Sequence, residues 1–336
     1  MEEKIPLLDV QNVRFFSGRS NVPLAEKITH YLGVPLDEAH FSKFSNDNLF
    51  IQLGSSVRGR IVYIVQSLTP PVSDHLFGLL MMCDIAKSAG ASEVHAIVPY
   101  FSYARSDKKN APRISITARL IADLLTTAGA THIMTMTLHS AQVHGFFSVP
   151  ADPLTARTLF TNYLRDCQFD PEETVVVSPD MGRAESAARF AAGMKLPVAT
   201  ASKTRISDTK VEIGGLIRRQ VRGFKHALVY DDEIATGGSV VGLSKMLVES
   251  GIERIRLICT HGLFLGNALE RMAAIPQIEE IITTDTVYIA PEKRPSNMKV
   301  LTVAPIIGEA IYRNYAHQSI NELFTFGEDP SYKEDI

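Results

Sequence analysis

Short apolar runs alternate with longer amphipathic segments along the whole chain. Ile61–Val65, Val94–Val98 and Ile133–Leu138 are continuous or near-continuous apolar runs of strand length, as are Thr174–Val177, Ala227–Tyr230, Ile255–Cys259 and the short Ile281–Ile282. Between them, His75–Ser88, Ile116–Ala128, Ala184–Ala192 and Ser239–Ser250 repeat apolar residues at helical spacing. Val- and Ile-rich strands alternating with helices predict α/β architecture, with parallel sheets covered on both faces. Right-handed crossovers would then line up the strand C-termini on one edge, the edge where ligands bind.

The two halves look alike. A helix ends at Gly90 and a strand begins at Val94; a helix ends at Gly251 and a strand begins at Ile255. Each of these strands is followed by another helix and another strand. This predicts a duplicated α/β domain, with residues 1–153 as one copy and 154–336 as the other, joined near Pro150-Ala151-Asp152-Pro153. The last helix could pack back on the first copy. One long sheet is the alternative, because helix-to-strand turns ending in Gly are common.

Composition narrows the class. Of 336 residues, 45% are hydrophobic and 21% charged, which excludes a disordered, collagenous or disulfide-scaffold chain. With 34 Lys and Arg against 37 Asp and Glu, the net charge is −3. A protein held on nucleic acid by counterion release would be basic, so no nucleic-acid partner is expected. A small anionic ligand is still compatible, since a local site can oppose the global charge. Cys83, Cys167 and Cys259 stand far apart with no CxxC pair; two of them lie in apolar stretches and read as buried thiols. The N-terminus lacks a signal pattern, and no apolar run reaches about 18 residues, so a cytoplasmic protein without a membrane span is expected.

The segment from Ala227 to Ser239 carries the most chemistry. An apolar strand ends in Asp231 and Asp232, a short loop follows, and Thr236-Gly237-Gly238-Ser239 opens a helix. Glycines let the backbone approach a phosphate, and free amides at a helix start donate to it. The two acids sit one loop away, about where the hydroxyls of a phosphosugar would fall. A plain strand-turn-helix with a capping Ser is the competing reading. Adjacent acids on an apolar strand end weigh against it, since carboxylates repel unless something lies between them.

This segment resembles the phosphoribosyl-binding loop of type I phosphoribosyltransferases, and the whole chain resembles the ribose-phosphate pyrophosphokinase (phosphoribosyl pyrophosphate synthetase) family. The resemblance runs from Phe16-Ser17-Gly18-Arg19-Ser20-Asn21 to Ser319-Ile320-Asn321-Glu322-Leu323-Phe324. Between them lie Ser56-Val57-Arg58-Gly59, Tyr63-Ile64-Val65-Gln66-Ser67, Pro99 to Arg105, Leu138 to Gln142 with Gly145-Phe146-Phe147, and Val177-Ser178-Pro179-Asp180. It implies two tandem phosphoribosyltransferase-like (Rossmann-type) domains. It also implies transfer of the diphosphate of Mg²⁺-ATP to the 1-hydroxyl of ribose 5-phosphate, with release of AMP.

Residue by residue, the resemblance places ribose 5-phosphate on Asp231 and Asp232 and on the cradle Ala235, Thr236, Gly237, Gly238 and Ser239. Lys203 and Arg205 match the family's catalytic Lys-x-Arg pair. Phe44, Asn46 and Asn48, with Arg105, Ser106 and His139, match ATP-binding positions; His139 and Asp180 match metal positions. A homo-oligomer is implied, typically a hexamer built from dimers, with an ATP site shared between subunits. Several of these residues have plainer readings. Lys203 and Arg205 could be solvated charges, His139 a packed side chain, and Arg105 a surface ion-pair partner. Tyr100, Phe101 and Tyr103 could be an aromatic platform for a base or equally core; Arg218, Arg219 and Arg222 read as a solvated basic cluster.

Some positions depart from the family pattern. Ala235 stands where an acid is usual, and Arg183 where the second glycine after Asp180 is usual. Asn46 and Asn48 replace an acceptor-bearing Asp and Glu, Ser106 replaces Gln, and Thr137 replaces Asp two residues before His139. These departures motivate two alternatives: a diphosphokinase acting on another phosphorylated ribose acceptor, and a non-catalytic regulatory homologue of the synthetase.

Overall fold

In a computed structural model, residues 7–201, 203–205, 211–213 and 215–323 are described, with the backbone alone described at 203–205, 211–213, 215 and 322. The polar tail Gly327–Ile336, which the sequence predicts to fray, lies outside the described residues. The chain divides into two compact units. The first holds the described residues up to Thr155, together with Thr286–Tyr288 and the chain from Thr302 onward; the second holds Ala156–Asp285 and Ile289–Leu301.

In the first unit, β1 (Val13–Ser17) leads into α1 (Val22–Leu32), followed by β2 (Ala39–Lys43), β3 (Leu49–Leu53), β4 (Ile61–Val65), α2 (Val72–Ser88), β5 (Glu93–Val98), α3 (Thr117–Ala128), β6 (His132–Met136) and β7 (Ala151–Leu154). The main sheet runs β1-β4-β5-β6-β7, all parallel, so spatial order follows chain order. β2 and β3 form a separate antiparallel hairpin, paired from Ala39↔Leu53 to Lys43↔Leu49. The stretch in which the sequence suggests a join, Pro150–Pro153, forms most of the edge strand β7, with Pro153 opposite Thr135. An edge strand tolerates the missing amide donor.

Signals for α1 lie in the sequence although its apolar spacing did not single it out. The Asn21 side chain accepts from the Leu24 amide at 3.3 Å, Pro23 occupies the first turn, and Gly33 closes the helix at φ 71°. The strand predicted over Ile133–Leu138 is His132–Met136 instead. Thr137 adopts φ 44° and ends it, an uncommon conformation for a β-branched residue.

The second unit contains α4 (Arg157–Leu164), β8 (Thr174–Ser178), α5 (Ala184–Met194), β9 (Val198–Thr200), β10 (Lys203–Arg205), β11 (Val211–Ile213), α6 (Gly215–Gln220), β12 (His226–Ile234), α7 (Gly238–Glu249), β13 (Arg254–Gly262), α8 (Ala268–Ala273), β14 (Ile278–Thr284) and β15 (Met298–Leu301). Its sheet runs β15-β14-β13-β12-β8-β9, again all parallel. β10 and β11 pair as a small antiparallel ribbon. One side of the sheet packs a core of Val229, Leu243, Leu247, Leu257, Cys259 and Met272, all buried. The chain's last long helix, α9 (Ala304–Tyr315), belongs to the first unit and packs on α1.

Candidate active site

Strand order changes direction inside the second sheet. From β8 the chain moves outward to β9; it then returns to β12 on the other side of β8 and continues to β13 and β14. A crevice forms beyond the C-terminal ends of two such strands, and ligands of open α/β sheets bind there. β12 is longer than its predicted Ala227–Tyr230 core. Its pairing with β8 stops at Val229↔Val177, while its pairing with β13 continues to Ile234↔Gly262. The last turns of β12 therefore border the crevice with one side free of a strand partner.

Asp231 and Asp232 lie in that overhang, inside the strand rather than after it, and both are buried at 8% and 5% exposure. The Asp232 amide donates to Asp231 Oδ1 at 2.9 Å. Burial, and then the charge of Asp232, push the Asp231 carboxyl well above the usual carboxylate range. Beneath them Tyr230 is clamped by aromatic packing, stacked on Phe190 at 4.4 Å and edge-on to Phe160 at 6.2 Å. Burial raises its hydroxyl to about 12, so it stays neutral.

After β12 the chain turns through Ala235, Thr236 and Gly237 into α7. Gly237 is buried and sits at φ 72°, a left-handed conformation that glycine adopts without a Cβ penalty. The N-cap residue, Gly237, brings no capping side chain, and the first-turn amides of a helix point away from its intrahelical acceptors. Thr236, Gly238 and Ser239 are exposed. The loop is anchored from behind: the Leu265 amide donates to Ala235 O at 2.8 Å, and those of Leu263 and Phe264 donate to Ile234 O. The result is an open, positively polarised helix start beside two buried acids, suited to a phosphate and an adjacent diol.

Asp180 follows β8 on the other wall of the crevice's switch point, half-buried and in extended conformation, with its carbonyl accepting from Ser178 Oγ at 2.8 Å. Three residues on, Arg183 is buried and its Nη2 lies 2.9 Å from Asp232 Oδ2. Spacing alone did not reveal that pair, because Arg183 comes from the turn before α5 and Asp232 from β12. Lys203 and Arg205 lie on β10, paired with Ile213 and Val211; their side chains are outside the described part. Arg218, Arg219 and Arg222 are exposed, and Arg218 pairs with Glu249 at 2.8 Å, in keeping with a solvated cluster.

In the first unit, Phe44, Asn46 and Asn48 form the tip of the β2–β3 hairpin and are all exposed, Phe44 at 58%. The Phe44 amide donates to Asn48 O at 2.9 Å, and the Asn48 amide to Asn46 Oδ1 at 3.3 Å, so Asn46 helps shape the turn. Phe44 meets Phe50 edge-on at 5.8 Å. Arg105 is exposed. Ser106 Oγ accepts the Thr117 amide at 3.2 Å, which engages its hydroxyl at the start of α3. His139 is half-buried, two residues past the turn at Thr137. Tyr100 and Phe101 are buried core, with Phe101 edge-on to Phe147 at 5.7 Å; Tyr103 is the exposed member of the three. Among the described residues no group of three or more His, Cys, Asp or Glu side chains could hold a metal ion.

Comparison with known proteins gives the same outline. Residues 13–129 match the family described as the N-terminal domain of ribose phosphate pyrophosphokinase, and residues 216–325 match the phosphoribosyl synthetase-associated domain. A ribose-phosphate pyrophosphokinase of Deinococcus radiodurans is 43% identical over 313 residues, covering 92% of this chain and 97% of that protein. One from Rhodopirellula baltica is 40% identical over 315 residues, covering 94% and 99%. The crystal structure of phosphoribosylpyrophosphate synthetase from Mycobacterium smegmatis superposes with a TM-score of 0.84 at 34% identity, covering 91% of this chain and 99% of that one.

Proposed function

This chain belongs to the ribose-phosphate pyrophosphokinase family, and from that premise we propose how its own residues divide the work. The enzyme is a transferase that moves the diphosphate of ATP to the 1-hydroxyl of ribose 5-phosphate, giving phosphoribosyl diphosphate and AMP. The observation that carries the assignment of the acceptor site is the buried acid pair at the β12 overhang, followed at once by the uncapped start of α7. The amides from Gly237 to Ser239, with the hydroxyls of Thr236 and Ser239, hold the 5-phosphate; Ala235 contributes backbone. Asp231 and Asp232 take the ring hydroxyls.

The hydroxyl on C1 attacks the β-phosphorus and gives up its proton to solvent, the bond to the bridging oxygen of the α-phosphate breaks, and AMP leaves. Catalysis then rests on alignment and on meeting charge at the transferred group. Lys203 and Arg205 meet that charge. Phe44, Asn46, Asn48, Arg105, Ser106 and His139 bind ATP, with Asn46 and Asn48 able to accept through their amide oxygens. Mg²⁺ would neutralise the phosphates when bound. Asp180 through an oxygen and, separately, His139 through a ring nitrogen are the protein atoms we assign to metal binding. We further propose a hexamer with a shared ATP site, testable by light scattering, and a cytoplasmic enzyme, in keeping with three free thiols.

The test is AMP formation by the purified chain. It should depend on ribose 5-phosphate, and Lys203→Ala should lower kcat by about a hundredfold or more. Equal turnover in that variant removes Lys203 from the mechanism. Mass spectrometry of products from a panel of phosphorylated ribose acceptors identifies the acceptor; faster turnover of any other member than of ribose 5-phosphate replaces this assignment.

A further inference from the structure

We propose that Arg183 is a positioning residue for the sugar: through its buried ion pair it keeps Asp232 a carboxylate, so that Asp231 and Asp232 present one hydrogen-bond donor and one acceptor to the diol. The inference rests on the assignment of both acids to the ring hydroxyls.

Arg183 and Asp232 are 8% and 5% exposed, with Nη2 and Oδ2 2.9 Å apart. Separating such a pair would leave a buried charge uncompensated, so it persists when the sugar arrives. Asp232 Oδ2 therefore stays with Arg183, and the diol meets the rest of the acid pair. α5 keeps Arg183 in place: it begins at the next residue, and its Phe190 stacks on Tyr230 beside the acids.

Among the described residues, Asp180 accepts the Arg183 amide through its carbonyl at 3.3 Å, and the other charges around the pair are few. Asp231 lies against Asp232, accepting its amide and hydrogen-bonding its side chain, and is driven upward by burial and by that neighbour's charge. Cys259, opposite Asp231 on β13, and Tyr230 are both held at about 12 and stay neutral. Arg157 from α4 acts on Tyr230 and is permanently charged. Glu233 follows on β12, paired in register with His261 on β13. Two buried carboxyls facing one contacting guanidinium hold one proton between them, and the guanidinium places the negative charge on Asp232. A protonated carboxyl donates; a carboxylate only accepts. A sugar hydroxyl can then donate to Asp232 while its neighbour accepts from Asp231.

The experiment measures KM for ribose 5-phosphate and for ATP, and the pH profile of kcat/KM for ribose 5-phosphate, in Arg183→Gln, Arg183→Lys and Asp232→Asn. Arg183→Gln should raise KM for ribose 5-phosphate about tenfold, leave KM for ATP unchanged, and move the acid limb of the profile upward by about one pH unit. Arg183→Lys retains the charge and should restore the wild-type acid limb. A wild-type profile and KM in Arg183→Gln overturn the inference while leaving the diol assignment standing. Wild-type KM for ribose 5-phosphate in Asp232→Asn overturns the diol assignment itself. Should Arg183→Gln fail to fold, the double variant Arg183→Gln/Asp232→Asn, which leaves no lone buried charge, carries the test. Its KM should equal that of Asp232→Asn alone, and a further tenfold rise would count against the inference.

Discussion

Four side chains at the N-terminal ends of β5, β6 and β7 form a row of close contacts. Glu93 Oε2 lies 2.7 Å from His95 Nε2, His95 Nδ1 lies 3.0 Å from His132 Nδ1, and His132 Nε2 lies 2.8 Å from Asp152 Oδ2. Only one proton fits between the facing Nδ1 atoms. Burial and then the neighbouring His132 lower His95 to about 4 from 6.5. A folded value below the unfolded one means the unfolded chain binds the extra proton first. The stabilisation is complete above pH 6.5 and is lost as pH falls toward 4, by roughly 1–3 kcal/mol. Thermal melting should show the midpoint dropping across that window, and His95→Gln should flatten the slope. An unchanged slope in the variant would mean that other groups govern it. Neither the His95–His132 contact nor the Arg183–Asp232 pair could be read from the sequence, because each joins residues from separate elements that only folding brings together.

At the scale of elements, the phosphate cradle depends on one backbone turn. Gly237 has φ 72°, and a Cβ there would come within 2.7 Å of Met272 Cε. The methionine end can give way, so the left-handed backbone dominates the cost of Gly237→Ala, about 1–2 kcal/mol. Melting should register that loss, and KM for ribose 5-phosphate should rise several-fold while KM for ATP holds. A variant with wild-type KM would mean that the turn does not shape the phosphate site. This cradle was legible because its signals are local: an apolar run, two acids, two glycines and a helix pattern within Ala227–Glu249. The β2–β3 hairpin was not, since its strands are half-exposed and carry no long apolar run. The early end of β6 was also hidden, because Thr137 gives no sequence sign of a positive φ.

At the scale of the whole molecule, the chain's final helix belongs to the unit in which the chain begins. Gly308 on α9 lets the helix approach α1; a Cβ there would meet Tyr31 Cδ1 at 2.3 Å. Tyr31 also donates to Glu309 Oε2 at 3.1 Å. Gly308→Ala should destabilise the first unit by about 1–3 kcal/mol through overpacking, seen as a lower melting midpoint; an unchanged midpoint would show that Tyr31 repacks freely. The alternation of strands and helices, the parallel sheets, the acids at a strand end and the glycine turn are fixed by residues close in the chain, whose periodicity and backbone preferences act locally. Strand order is set by packing between distant segments. It alone put Asp180 and Asp232 at one switch point, gave Arg183 a buried partner and closed the first unit with α9, because desolvation and ion pairing act between groups that folding brings together.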